Sequence, residues 1–577
     1  MNKRWVFPPP NETLQIEIAS KLKIPHLLAQ VLINRGINDV SSAKSFLQPQ
    51  IGALGDPSLL PDVEKASLRI NDAVRKKEKI VIYGDYDVDG LSATALMYRC
   101  LKLLGAQVSY YIPERLEEGY GLNEDAIKKL KEDKADVILT VDCGINACKE
   151  ADVARAYGID LIITDHHQPG KQIPNAFAVV NPKLRTSQHA FNDLSGVGIA
   201  FKLAWAIGQH FSPQKKVSLE FKDFLLNAVG LVALGTIADV VPLLGENRIL
   251  AKYGLSALQC TEIPGLRALL DVSDLSNIKL DTFHVGYRLG PRLNAPGRIG
   301  NAGIVVEMLT TTLKERAVEI ANFLEQENKR RQRIQVNILA SARKKVMDEL
   351  NLDETTAIVL ADNAWHPGII GIIASKMVEE FNRPTVMIAI ADDMGHGSAR
   401  SIPSFHILEA LESCKGKLLS VGGHARAAGL KIHPDNINEF REMLNSMTSQ
   451  KLSRMDLVPV LNIDAEVTLS ILSKALVSEL ARLAPHGEGN PMPLFAATNL
   501  KIVGQPRRIG SKGQHMSFYV KQGDVAIRSV AFGMGEKIER FKQNGRTCSM
   551  AFAVKINNWM DSEHLELEVK DIKFDNE

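Results

Sequence analysis

KIVIYGDYDVDG, from Lys79 to Gly90, runs a short apolar stretch straight into three carboxylates, Asp85, Asp87 and Asp89. The same pattern returns twice further down the chain. VILTVDCG closes its apolar run on Asp142, and LIITDHH closes on Asp165, His166 and His167. Helix-length segments such as LSATALMYRCLKLLG lie between these runs, so strand and helix alternate from about Lys79 to Val241. That alternation predicts a parallel, doubly wound α/β sheet. Ligands in such sheets sit outside the carboxyl ends of the strands. Each acidic cluster falls at such an end, so acids far apart in the chain are expected to converge.

Carboxylates this close repel one another, and burying them unpaired costs several kcal/mol each, so a folded chain needs cations among them. A divalent-metal centre follows. LIITDHH adds imidazole to carboxylate, a mix that suits manganese, iron or zinc better than calcium. LVALGTIADVVP supplies Asp239 as a further acid closing an apolar run. DYDVDG also matches the opening of a calcium-binding EF-hand loop. That loop needs a helix in front and a Glu at its twelfth position, where this chain has a strand and Leu96. Turn or helix-cap roles would account for one of the three acids and not for all.

The chain's 577 residues are several times a domain of ~150 residues, so two to four domains are expected. Its 45% apolar and 24% charged residues are those of an ordinary soluble protein. The net charge of +2 means that any nucleic-acid surface is a local patch. There is no uninterrupted run of about 18 apolar residues, and MNKRWVFPPPNE lacks a signal-peptide core. A cytoplasmic protein without membrane partners is expected. Six cysteines make no disulfide framework, and Cys143 with Cys148 is too little for a zinc site.

Outside the acidic region, residues 1–75 read as an irregular lead followed by helical stretches. Residues 311–350 contain neither Gly nor Pro and predict one long helix. Its Lys329, Arg330, Arg331 and Arg333 form either a solvated face or an arm that tracks phosphates. A second α/β unit runs from TAIVLA through WHPGIIGIIASKM, HGSARS and VGGHARAAGL. From about Lys451 the chain is strand-rich and basic, with Arg507, Arg508, Lys512, Phe518, Tyr519, Arg528, Phe532, Arg546 and Trp559 interleaved. That composition suits a small OB-type β-barrel that grips single strands, with most of the aromatics in the barrel core.

In order, DYDVDG, VDCG, TDHH, GTIADVVP, GPRLNAPGR, WHPGIIG and VGGHARAAG resemble the motif series of the DHH phosphoesterases, in particular their bacterial single-strand exonucleases. The resemblance spans about Lys79 to Gly429 and extends to PHGEGNPMPLF. It implies an N-terminal lead over 1–75, a DHH catalytic domain over 76–310, a connecting helix over 311–350, a DHHA1-like domain over 351–450 and an OB-like domain over 451–577. It further implies two divalent ions, Mn2+ or Mg2+, held by Asp87, Asp89, Asp142, His166 and Asp239, with Asp142 bridging. Asp85 would be a ligand or stand just behind them, because many relatives carry a His where this chain has Tyr83.

By the same resemblance, Asp165 and His167 would orient ligands or touch the scissile phosphate, and Arg292, Asn294 and Arg298 would line it. Ser398 and Arg400 would hold a terminal 5′ phosphate. Gly422, Gly423 and His424 would cradle backbone phosphate through loop amides near a helix start. Arg115 would close off the 5′ end of the channel. The implied activity is hydrolysis of single-stranded DNA from a free 5′ end to 5′-mononucleotides, in DNA repair and recombination, by a monomer working with a single-strand-binding protein and a helicase. Two alternatives stay open. A small-substrate member acting on short oligonucleotides or dinucleotides would not need the basic helix or the C-terminal module, and a non-catalytic DNA-binding relative would lack metal ligands.

Overall fold

The structure, a computed structural model, describes residues 3–114, 118–119, 121–212, 216–543, 547–559 and 562–574. It divides into two compact units, residues 50–453 and residues 1–49 with 454–577.

In the larger unit, an all-parallel five-stranded sheet has the order Gln107–Tyr111, Lys79–Gly84, Val137–Val141, Asp160–Thr164, Ala178–Val180. Val137–Val141 is buried along its whole length, as a strand covered on both faces must be. Period-two alternation splits the strand residues between two cores. Ile80, Ile82, Leu139 and Ile162 pack with the helices Val63–Lys76, Val88–Leu103, Gly196–Phe211 and Leu219–Ala238. Val81, Tyr83, Ile138 and Ile163 pack with Glu124–Glu132 and Cys148–Ala156. Lys79–Gly84, the first strand of this sheet in sequence, lies between its second and third, so the switch of winding direction falls between Lys79–Gly84 and Val137–Val141. Gly84 is level with Val141, and Val141 with Thr164. The residues that follow these three are Asp85, Asp142 and Asp165, which therefore leave the sheet side by side.

Leu219–Ala238 is long and apolar enough to cross a membrane, although Glu220, Lys222 and Asp223 interrupt its apolar run. It is a core helix of this unit, with Val229 to Ile237 all buried, and it ends on Asp239 as its C-cap.

The long helix spans Lys314–Glu349. Ala317, Ile320, Ala321 and Leu324 join the first core, and Ile338, Ala342 and Val346 join that of a second sheet. The basic run between them splits. Arg331 is buried and donates to Asn328 and Gln335, whereas Lys329 and Arg330 are 60% and 63% exposed. The second sheet has the order Leu418–Gly423, Ala427–Ile432, Met394–Arg400, Thr385–Ala391, Ile358–Asp362, and only its last pair is parallel.

In the smaller unit, Phe495–Ile509, His515–Gln522, Val525–Ala531, Ser562–Phe574 and Thr547–Trp559 pair in that order, and the last returns to the first to close a five-stranded OB-type barrel. Phe518 is core, edge-on to Phe541, while Tyr519 and Phe532 are 51% and 54% exposed. Arg528 pairs with Glu566, and Arg546 and the Trp559 side chain lie outside the described residues. The stretch read as an N-terminal lead divides between the two units. Arg4–Val6 pairs in parallel with Val460–Asn462, and Trp5 Nε1 donates to Asp571 Oδ2 at 2.9 Å. Arg35 grips Asp464 with both guanidinium nitrogens at 2.8 and 3.2 Å. Val63–Lys76, by contrast, packs in the first core of the larger unit.

Candidate active site

Asp87 caps the helix Val88–Leu103, accepting from Asp89 N at 2.9 Å and Gly90 N at 3.1 Å. In the first turn of that helix, Asp89 is 1% exposed and accepts from Gly196 N at 2.7 Å and Val197 N at 3.0 Å, the first amides of Gly196–Phe211. Burial and the charge of Asp87 nevertheless push its pKa up to about 7. Asp142 leaves its strand with φ of 65°, a costly left-handed conformation of the kind found at functional sites. Its carboxyl is pushed well above the usual range by burial and then by Asp89, Asp87, Asp239 and Asp85. Asp239 is raised too, by burial and then by Asp89, Asp87 and Asp85.

His166 Nε2 points into this cluster, 3.2 Å from Asp142 Oδ1 and 3.6 Å from Asp239 Oδ2. Burial and the neighbouring His167 push its pKa down to about 3, so the ring is neutral, and it hydrogen-bonds to the backbone of Leu194. A neutral imidazole that gives its one N–H to a carbonyl turns a lone pair on two carboxylates, which is repulsive unless a cation stands between them. A backbone-anchored histidine of this kind is the usual arrangement of a metal ligand. Ligand atoms within 4.8 Å of one another form three groups: Asp85, Asp87 and Asp142; Asp89, His166 and Asp239; and Asp142, His166 and His167. Asp142 and His166 each belong to two of them, and Asp142 Oδ1, 3.2 Å from His166 Nε2, stands between the first group and the second. Asp85 is one of the possible ligands of the first group.

Asp165, 1% exposed, accepts from Ile145 N at 2.9 Å and from His167 N and Nδ1 at 3.0 and 2.7 Å. Burial pushes Asp165 up, but the hydrogen bond and charge of His167 outweigh it and leave its pKa below the usual value. His167 is raised in return, Asp165 overcoming the effect of burial. Asn181 Nδ2 holds the His167 carbonyl at 3.0 Å. His167 also lines a cleft of about 310 Å³ together with Asp85, Tyr86, Asp87, Ala238, Asn294, Gly297 and Arg298. The strand-end acids and the GPRLNAPGR motif thus meet in one cleft.

The other expected phosphate contacts are placed less uniformly. Arg292 pairs with Glu325 of the long helix at 2.7 Å and donates to the Arg288 carbonyl, whereas Asn294 and Arg298 line the cleft. Ser398 and Arg400 share the strand Met394–Arg400, with Arg400 donating to Ser398 Oγ at 3.3 Å. A Cβ at Gly371, in the first turns of Pro367–Phe381, would lie 3.0 Å from Ser398 Oγ. Gly422 and Gly423 end the edge strand of the second sheet, and all three of Gly422, Gly423 and His424 are exposed. The His424 amide closes the hairpin on Ala427 O at 2.7 Å, so the expected amide cradle does not include it. Arg115 lies outside the described residues.

Several site residues were missed because they act through backbone or through smallness. A Cβ at Gly196 would sit 2.4 Å from Asp142 Oδ1, and one at Gly235 would sit 2.6 Å from Asp89 Oδ1. Gly297 and Gly368 would collide with Tyr86 O at 2.8 Å and Arg298 O at 2.2 Å. Ser195 followed by Gly-Val-Gly was the available signal, a helix start built to let other groups approach.

Residues 79–236 match the DHH family N-terminal domain, 354–450 the DHHA1 domain and 463–571 the RecJ OB domain. The single-stranded-DNA-specific exonuclease RecJ of Bacillus subtilis is 37% identical over 98% of this chain and 70% of its own length. The chain belongs to the RecJ family. RecJ of Escherichia coli is 31% identical over 95% of this chain and 96% of its own. The crystal structure of Thermus thermophilus RecJ with Mn2+ superposes with a TM-score of 0.84 at 30% identity, covering 99% of this chain and 79% of that one. The Mg2+ complex of the same RecJ gives 0.79 at 29% identity, over 99% and 78%.

Proposed function

We propose that the chain is a single-stranded-DNA-specific exonuclease that hydrolyses phosphodiesters from a 5′ end, releases 5′-mononucleotides and serves DNA repair and recombination. The single observation that carries the reading is the cleft that joins Asp85, Asp87 and His167 to Asn294 and Arg298. Asp85, Asp87 and Asp142 would hold one divalent ion and Asp89, His166 and Asp239 a second, and Asp142, 3.2 Å from His166, would bridge them. Mn2+ and Mg2+ both suit this oxygen-rich set with one imidazole. Bound there, the pair supplies Lewis-acid stabilisation of the phosphodiester and an acidified water.

The chain's own groups do the rest. Asp165 anchors Nδ1 of His167 and favours its protonated form, so that the ring is set to donate to a phosphoryl oxygen as charge develops there. Arg298 and Asn294 face the same space and position the phosphate before reaction. Gly196 and Val197 amides keep Asp89 oriented through turnover. Arg400 with Ser398 would take a terminal phosphate, a dianion that a guanidinium fork fits better than an internal monoanion.

The OB-type barrel, with Tyr519 exposed opposite Arg528, suits a grip on single strand outside the catalytic cleft. We assign the protein to the cytoplasm as a monomer, with single-strand-binding protein and helicase as partners that would present the strand. Incubation with an oligonucleotide labelled separately at each end, with and without Mn2+, tests the reading. Metal-dependent mononucleotides from the 5′ label are expected. Release from the 3′ label first, or cleavage of dinucleotides alone, would replace it.

A further inference from the structure

One surface beside the cleft has no part in the chemistry described so far. Residues His284–Leu289 form a π-helical turn that continues into the helix Gly290–Leu293, and such turns are frequent at functional sites. Val285 and Leu289 are fully buried in the catalytic core. The opposite side carries Phe283 and Tyr287, which are 57% and 74% exposed and stacked on each other with ring centroids 5.0 Å apart and planes 23° apart.

The position of this pair is set by its neighbours. A Cβ built at Gly290 would lie 3.6 Å from the Cβ of Ala238, and Ala238 lines the cleft. Asn294, which also lines it, is the C-cap of Gly290–Leu293, the helix into which this turn runs. The turn that carries the aromatic pair therefore leads directly into the wall of the cleft. Cations flank this run. Arg292 is joined through Glu325 to Lys329 on the long helix at 2.7 and 3.1 Å, and Lys329 is 60% exposed.

We propose that Phe283 and Tyr287 form a platform on which unpaired bases of the substrate strand stack at the lip of the catalytic cleft, which makes them positioning residues for the reaction. The inference rests on the single-strand reading above and deepens it. Two flat rings among Thr282, His284, Gly286 and Arg288 do not make the broad apolar patch that a protein partner would need. Stacked rings beside cations are what a sequence-independent single-strand site requires, because every base offers a π-face.

The test compares the whole protein with a Phe283→Ala/Tyr287→Ala double variant and a Phe283→Tyr/Tyr287→Trp variant. Binding is measured by fluorescence anisotropy under chelation, on strands in which one abasic site is moved along the sequence. The intact protein is expected to lose about tenfold in affinity when the abasic site reaches one or two particular positions. The alanine variant should show a comparable loss on the normal strand and no further loss at those positions, and the aromatic variant should behave as the intact protein. With Mn2+, the alanine variant should raise KM with kcat little changed. An alanine variant that binds the normal strand unaltered, or that retains the position-dependent abasic loss, would overturn the platform. An intact protein that neither binds nor cleaves single strands would instead overturn the function on which it rests.

Discussion

At His166 the ring donates a hydrogen bond to the Leu194 backbone and turns its other nitrogen on Asp142 and Asp239. Its environment is arranged for a cation, and the same holds for the acids around it. Asp142→Ala should therefore abolish hydrolysis, while single-strand affinity, which comes from Lys and Arg elsewhere, is retained. Gel-shift and turnover assays on one preparation check both halves, and substantial turnover in Mn2+-replete buffer would count against the ligand assignment.

A pH dependence follows at the same scale. Asp89 titrates at about 7, and Asp142 and Asp239 are also raised, so between pH ~4 and ~7 the metal-free fold holds protons that the unfolded chain has already released. The metal-free protein should therefore lose stability as pH rises through that window. Metal displaces those protons, so the stabilisation by Mn2+ should grow over the same range. Asp165 is lowered, and its contribution disappears only below the ordinary carboxylate range. Thermal unfolding with EDTA or Mn2+ at pH 5 and pH 8 checks this, and equal Mn2+ shifts at both would contradict it.

At the scale of elements, the start of Gly196–Phe211 deserves a mutation of its own. With a Cβ 2.4 Å from Asp142 Oδ1, Gly196→Ala must move either the carboxylate or the helix. Metal affinity should fall by about 10- to 100-fold, as for other groups that orient ligands, at a stability cost of about 1–3 kcal/mol. Isothermal titration with Mn2+ and urea unfolding separate the two effects, and unchanged Mn2+ affinity would show that the helix start does not govern the site. On the second sheet, Arg400→Ala should selectively impair strands with a 5′ phosphate. Equal losses on phosphorylated and hydroxyl-ended strands would assign Arg400 to the scissile phosphate or to the fold.

At the scale of the whole molecule, residues 1–49 belong with residues 454–577. Removing the C-terminal part alone would leave Arg35, Trp5 and the strand Arg4–Val6 without Asp464, Asp571 and Val460–Asn462. The informative truncation keeps residues 50–453. It should digest very short oligonucleotides nearly as the full chain does and lose efficiency on long strands. The log-log salt slope of its binding should flatten by roughly 0.7 for each single-strand phosphate no longer neutralised. Full-length behaviour on long strands, with the same slope, would leave the barrel without a role in binding.

The parallel sheet and the convergence of Asp85, Asp142 and Asp165 at strand ends were legible in the sequence, because they follow from local periodicity and from where each apolar run stops, and the OB-type module was legible from its composition and from the family resemblance. Other features were not. The pairing of Arg292 with Glu325, the burial of Arg331 within a run of exposed cations, and the union of Arg35 with Asp464 join residues whose neighbours in the chain say nothing of one another. Gly196 and Gly235 escaped for a related reason, since their contribution is the space a side chain would have filled. Local pattern determines which residues form each strand and helix, whereas which charge meets which, and where no atom can be tolerated, depends on packing between elements distant in sequence and was decided only by the tertiary structure.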